Sequence, residues 1–272
     1  MREAEHRKVR PCGVHSVLHV FRASLPFVSW PGYRTLVGVG LIAALLVALA
    51  RSRRWGVRPL VAVDSGLAAA VGGLVAGRAA YVAVHWGYFQ DHLVQVPQIW
   101  RGGLSSPAVL LGAVVGAVLF ARWRRTDPRL LLDLLTPGAA LVACSAWLGC
   151  LQAGCGWGIE VRPGDGLLWH LGMELPDIYG LRAPRVAVQL LGAGWSGLLF
   201  LLTLLIGQRW RPFPLWLFLY GGGEFGLGFL RGDLSPAWAG LSPLQIANLA
   251  FSLIGLFLLT VPGWPIRQDE RP

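Results

Sequence analysis

Apolar residues in this chain come in long unbroken runs, not in the spaced pattern of a surface helix. Seven runs stand out, at roughly 34–50, 60–86, 105–121, 130–150, 186–206, 213–230 and 242–262. A run of about 20 apolar residues is the length at which an α-helix crosses a bilayer. Hydrocarbon offers no partner to backbone N–H and C=O groups, so each run is predicted to be a helix that closes its own hydrogen bonds. The pattern predicts an all-α polytopic membrane protein with a bundle of about seven transmembrane helices. It divides the chain into an N-terminal arm at 1–30, a seven-helix domain at 31–263 with a long polar segment at 151–185, and a tail at 264–272.

Composition fits this picture. Hydrophobic residues make up 54% of the 272 positions and charged residues 14%, which is too apolar for an ordinary soluble domain. The first run lies too far in for a signal peptide and is followed by no small-residue cleavage site, so it is expected to stay as a helix.

A net charge of +10 would suit a nucleic-acid partner, but the placement of the charge points to a membrane instead. Arginines gather in "RSRRWGVR" (51–58), "RWRRTDPR" (122–129) and "QRWR" (208–211), and these alternate with longer, less basic loops at 87–104, 151–185 and 231–241. Positively charged loops stay on the cytoplasmic side. That rule predicts the N-terminus outside, the C-terminus cytoplasmic, and the 151–185 segment outside. The arm, with Arg2, Arg7, Lys8 and Arg10, runs against the same rule.

Several polar residues interrupt the apolar runs toward their predicted outward ends, where site chemistry in a membrane protein gathers. Arg78, Tyr81 and His85 are spaced three and four apart and share one helix face, with Asp64 on a similar face about four turns earlier. The trio reads either as a structural ion pair with interfacial aromatics or as an anion site, since a guanidinium offers a fork of donors to phosphate. In "WRGGLSSPAVLLG", Ser105 or Ser106 suits a helix cap and Pro107 the first turn, and the amides of Gly102 and Gly103 could face an anion. Glu224 is ionisable at membrane depth, with a partner such as Arg78 expected, and Arg231 follows two turns later. Gly222 and Gly226 form a small-xxx-small pair suited to close helix contact. Ser242 caps the last helix, and Gln245 and Asn248 are expected to point into the bundle. Cys150 and Cys155 lack the spacing and histidines of a zinc site. A disulfide, two packed thiols and a reactive thiol all remain open for them. No serine-hydrolase elbow, zinc-protease pair or phosphate loop occurs, and no metal or cofactor is expected.

The ordered motifs resemble the prolipoprotein diacylglyceryl transferase family from about Ser29 to Leu259. "SWPG" is similar to the family's W-Y-G, "GRAAYV" to G-R-x-G-Y-V, and "WRGGLSSPAVLLG" to W-x-G-G-x-S-x-H-G-G-L-x-G. "DLLTPGAALVACSAWLGCLQAGCGWG" resembles D-x-x-x-P leading into G-R-x-G-N-x-x-N-G-E-x-x-G. "VAVQLL" resembles H-P-x-Q-L-Y, "YGGGEFGLGFLR" resembles Y-G-x-x-R-F-x-V-E-F-x-R, and "LSPLQ" resembles L-S-x-x-Q.

The resemblance implies a multi-pass enzyme of the bacterial cytoplasmic (inner) membrane. Such an enzyme moves a diacylglyceryl group from phosphatidylglycerol, or another anionic phospholipid, to the lipobox cysteine thiol that follows a prolipoprotein signal peptide. Carried over residue by residue, it makes Arg78, Gly102, Gly103, Ser105, Gly154, Gln189, Arg231 and Gln245 candidates for holding substrate or phosphate, and Glu224, which departs from the motif, joins them as an ionisable group at membrane depth. Tyr81 and His85 are the catalytic candidates, His85 as the base that takes the thiol proton. The chain departs from the motif at charged positions. Trp147 stands for the signature arginine, Cys150 and Ala153 for the asparagines, and Cys155 for the glutamate. Pro107 stands for the third-helix histidine, Glu224 for the sixth-helix arginine, and Gly228 for the glutamate after it. Arg182 and Arg185 are candidate replacement cations. An impaired member that binds phospholipid or lipoprotein without transfer is the alternative reading.

Overall fold

The computed structural model describes residues 32–177 and 179–261. The predicted arm at 1–30 and tail at 264–272, with Cys12, lie outside the described residues. Seven helices follow the seven apolar runs: α1 (Tyr33–Ser52), α2 (Pro59–Val84), α3 (Ser106–Trp123), α4 (Pro128–Ala153), α5 (Val188–Ile206), α6 (Pro212–Gly228) and α7 (Pro243–Thr260). All but α6 are long and apolar enough to cross a membrane. At 17 residues, α6 rises about 25 Å, slightly less than a hydrocarbon core.

The helix boundaries follow from local chemistry. Proline occupies the first turn of α2, α3, α4, α6 and α7, where its missing N–H costs nothing. Asp127 caps α4 by accepting from the Arg129 amide. Ser242 and Gln245 form a reciprocal capping box on α7. At its far end α4 stops at Gly154, whose φ of 69° is the left-handed conformation glycine adopts without strain. Asp133 then links α4 to α6 by accepting from the Phe213 amide at 2.9 Å. That carboxylate supplies the N-terminal bond that the α6 cap residue Arg211 does not make.

The central helix is α4, which packs against α1, α2, α3, α5 and α6. The most intimate pair is α2 with α3. A side-chain carbon on Gly72, Gly112 or Gly116 would strike backbone of the facing helix, so glycine there is a packing requirement. On α6 and α7 the corresponding contact is made by Gly221 and Gly255. This corrects the expectation for Gly222 and Gly226. A carbon on Gly226 would meet nothing within 4 Å, and one on Gly222 would make only ordinary contact with Ser252. Gln245 and Asn248 are buried, as the apolar pattern predicted, whereas Asp64 is exposed.

Leu132, Ala140, Leu199, Phe213, Trp216 and Leu217 form a buried cluster between α4, α5 and α6, joined by Ala117 of α3. Large apolar side chains meanwhile cover the outside of the bundle: Leu60, Val84 and Leu205 are each more than three-quarters exposed. Apolar surface on this scale needs lipid against it.

The polar segment 151–185 is folded. β1 (Gly172–Pro176) pairs antiparallel with β2 (Arg182–Val186), matching Gly172 to Val186 and Pro176 to Arg182. Cys150 and Cys155 are joined as a disulfide across the end of α4, with Cα atoms 4.7 Å apart. The left-handed turn at Gly154 brings them together. Of the three possibilities the spacing left open, the structure selects the bridge. A loop this short is worth about 2 kcal/mol. The Cys150→Ser, Cys155→Ser protein is therefore expected to unfold at slightly lower temperature in a thermal scan, and an unchanged unfolding temperature would show that the bridge adds nothing.

Candidate lipid-phosphate and thiol site

Two polar clusters form at the end of the bundle where α2 and α4 finish and α3 and α5 begin. The first is built on α2. Arg78 is buried, and its guanidinium donates to four backbone carbonyls: Gln95 (2.7 Å), Val96 (2.8 Å), Gly102 (2.7 Å) and Gly103 (3.1 Å). The charge also sits over the rings of Tyr81 and Phe89, 5.7 and 5.2 Å from their centroids. The sequence reading gave Arg78 to a phosphate or to a carboxylate such as Glu224. The structure corrects the second expectation: the partners are carbonyls of the 95–103 loop. That loop turns its C=O groups inward through two glycines of positive φ, Gly102 and Gly103. The Gly102 amide is used up on Ile99, so it does not face an anion. Gly103 lies flat on the Tyr81 ring, where any side-chain carbon would collide. Ser105 is the α3 cap residue, but its side chain makes no capping bond; its amide bonds to Gly77 O at 3.0 Å.

His85 is exposed, stacked on Tyr81 at 4.2 Å, with its Nδ1 2.9 Å from the Tyr81 carbonyl. A carbonyl oxygen only accepts, so Nδ1 carries the hydrogen and Nε2 is left as the basic nitrogen. Seven residues on, the same arrangement recurs: His92 stacks on Tyr88 at 4.3 Å and its Nδ1 lies 2.9 Å from Tyr88 O. The sequence reading missed this second pair, although a tyrosine four residues before a histidine was its visible signal.

The second cluster joins α4, α5, α6 and the strand-bearing segment. Trp147 Nε1–H donates to Glu224 Oε1 at 2.8 Å, and both side chains are buried. These are the two positions where the resemblance implies arginines, so a pair of cations is replaced by an indole donor bonded to a carboxyl group. Arg231 reaches over the Trp147 ring, 5.7 Å from its centroid. Its Nε and Nη2 are held in a fork by Asp233 at 2.9 and 2.7 Å. Nη1 makes no hydrogen bond among the described residues and keeps both its hydrogens for another acceptor. Asp233 went unnoticed in the sequence, where its place two residues after Arg231 was the only clue. Gln189 donates to Cys155 O at 3.1 Å, and its Oε1 is buried without a protein partner. Gly154 contributes the turn that places Cys155 there. Gln245 is spent on the capping box and lies against Gly228.

Backbone bonds clamp this cluster: Ile159 N to Leu230 O, and Gly232 N to Trp157 O. Arg185, a candidate replacement cation, is buried between Glu160 (2.9 Å) and Asp177 (3.5 Å). It is therefore neutralised, and it fastens the hairpin. Arg182 is exposed on β2. Among the described residues, no three His, Cys, Asp or Glu side chains gather to hold a metal ion.

The model for prolipoprotein diacylglyceryl transferases matches residues 22–261, nearly the whole chain and both clusters. The chain belongs to the prolipoprotein diacylglyceryl transferase family. It is similar to the phosphatidylglycerol–prolipoprotein diacylglyceryl transferase of Clostridium tetani, at 24% identity over 85% of this chain and 92% of that protein. The enzyme of the same name from Geobacillus kaustophilus is 26% identical over 88% of each chain. That of Thermosynechococcus vestitus is 27% identical, over 91% of this chain and 95% of its own length. Family membership and the lipid-facing apolar helices together make this a multi-pass membrane protein.

Proposed function

We propose that this chain transfers a diacylglyceryl group from phosphatidylglycerol to the thiol of a prolipoprotein lipobox cysteine in the bacterial inner membrane. The observation that carries the reading is the family match across 22–261, which spans every helix. In the reaction a C–S bond forms at the glyceryl carbon, the C–O bond to phosphate breaks, and glycerol phosphate leaves. The thiolate is the nucleophile, so a base must take its proton. The Nε2 of His85 is the group poised for this, and the protonated imidazole then stands beside the departing phosphate. Arg231, steadied by Asp233, supplies positive charge to the leaving oxygen. Gln189 Oε1 offers a buried acceptor to a donor on the substrate.

The test is a transfer assay with phosphatidylglycerol and a lipobox peptide, read as the mass of the thioether product. Product is expected from the parent protein and a loss of about 100-fold from His85→Gln. No product from the parent, with lipid and peptide still bound, would make it a binding member of the family.

We also propose that the three arginine-rich loops face the cytoplasm, with 151–185 and both polar clusters on the opposite side. Fusions of a reporter at 125 are expected to score cytoplasmic and at 170 external. The reverse pattern would overturn this orientation and, with it, the side on which prolipoprotein must arrive.

A further inference from the structure

The bundle has another recess at its arginine-rich end, far from the two clusters described above. Along α2, Arg78 lies 17 residues beyond Val61 of the recess lining, a rise of about 26 Å. The recess is a cavity of about 540 Å³ where the α1–α2 turn meets the α3–α4 turn, and its lining includes Arg58, Val61, Trp123, Arg124, Arg125 and Thr126. Its floor is rigid. Trp55, Val57, Val61, Ala121, Leu131 and Leu134 are all buried in one cluster beneath it.

Three features of the recess suit an anion. First, three arginines, Arg58, Arg124 and Arg125, line it, and none of the three has a carboxylate within ion-pair distance among the described residues. The single acid in the α3–α4 turn, Asp127, is occupied in capping α4. Second, the recess takes in the start of α2, whose cap residue Arg58 makes no side-chain bond to the first-turn amides. The Leu60 and Val61 amides and the positive end of a 26-residue helix are therefore left for a ligand. Third, Trp123 is 76% exposed at its rim with the Arg124 guanidinium 5.8 Å from the ring centroid. Tryptophan at a helix end beside arginine is the arrangement that sits at headgroup level. Basic recesses between membrane helices bind phosphorylated headgroups by these same forces.

We propose that this recess binds a phosphate oxyanion, carried by a phospholipid headgroup or by a soluble phosphate, at a site separate from the candidate reaction site. The guanidiniums of Arg58, Arg124 and Arg125 hold the oxygens, and the α2 amides complete the cradle. A phospholipid held there would tie the α1–α2 and α3–α4 turns together.

The probe is phosphatidic acid, which carries the phosphate but not the glycerol leaving group of the transfer reaction. The whole protein is placed in phosphatidylcholine nanodiscs containing phosphatidic acid, and retained lipid is counted by native mass spectrometry. Arg58→Gln, Arg125→Gln removes two charges from the recess; Arg53→Gln, Arg122→Gln removes two from the same loops outside it. The recess variant is expected to bind phosphatidic acid about 10- to 30-fold more weakly, at roughly one favourable contribution per arginine. The control variant is expected to stay within about twofold of the parent. Equal loss in both variants would reduce the effect to general surface charge and overturn the site, and no loss in either would do the same. A titration with inorganic phosphate separates the sources. Displacement of phosphatidic acid marks a pocket open to soluble phosphates; resistance to displacement marks one that requires the lipid. Transfer activity is expected to be unchanged in the recess variant, so the two readings fail independently.

Discussion

Arg78→Ala is expected to destabilise the protein by about 2–3 kcal/mol, because removing a buried hub takes the donor from four carbonyls at once. The guanidinium holds four carbonyls of one loop, at 2.7 to 3.1 Å. Without it, the half-buried carbonyls of Gln95, Val96 and Gly103 and the exposed one of Gly102 lose their shared donor and are free to turn toward water. That turn would lift Gly103 off the Tyr81 ring and release the His85 stack with it. Lysine would restore the charge but not the fork, so Arg78→Lys is expected to recover only part of the loss. Thermal unfolding in detergent, read beside the phosphatidylglycerol KM, separates two roles. A phosphate-binding arginine would leave the unfolding temperature alone and raise KM. A loop-holding arginine lowers the unfolding temperature first. An Arg78→Ala protein as stable as the parent would show that the carbonyl network is not what this residue is for.

The same contrast explains which features were legible in the sequence. Run length alone located all seven helices, because hydrocarbon permits a spanning segment few alternatives to a helix. Spacing placed Arg78, Tyr81 and His85 on one face, since helix periodicity is local. The partner of Arg78 was not legible. Backbone carbonyls carry no side-chain signature, and two glycines with positive φ had to turn them inward from 17 to 25 residues away. Trp147 and Glu224 are 77 residues apart and meet only through the packing of α6 beside α4. Glycine spacing misled on α6 for a related reason. Gly221, Gly222, Gly223, Gly226 and Gly228 offer several small faces, and only the position of α7 decides which one is used. The cysteines stayed ambiguous because a five-residue separation bridges or not according to the turn at Gly154.

Arg231→Gln is expected to cut diacylglyceryl transfer by about 100- to 1,000-fold, the usual cost of one lost donor to a developing anion. Two observations single out this cation. Arg78 is engaged by four loop carbonyls and Arg185 lies between two carboxylates, whereas Arg231 has one carboxylate partner and lies over the Trp147 ring of the second cluster. Its own carboxylate partner binds only one edge: Asp233 takes Nε and Nη2, which fixes the plane and leaves Nη1 forward. The pair is largely buried, with 15% and 18% of side-chain surface exposed, so Arg231→Gln also leaves Asp233 without its partner and should cost about 1–3 kcal/mol in stability. A rate loss in protein that is still folded is the signature to look for. Asp233→Asn supplies the internal control. It keeps the arginine but loosens its aim, so transfer is expected to fall by about tenfold while the charge remains. Arg231→Lys should land between the two, with charge present and the forked geometry gone. If Arg231→Gln transfers at the parent rate with an unchanged phosphatidylglycerol KM, this arginine does not touch the leaving phosphate. The pairing of Trp147 with Glu224, where the family motif has two arginines, would then have to be read as a site that has given up cationic stabilisation altogether.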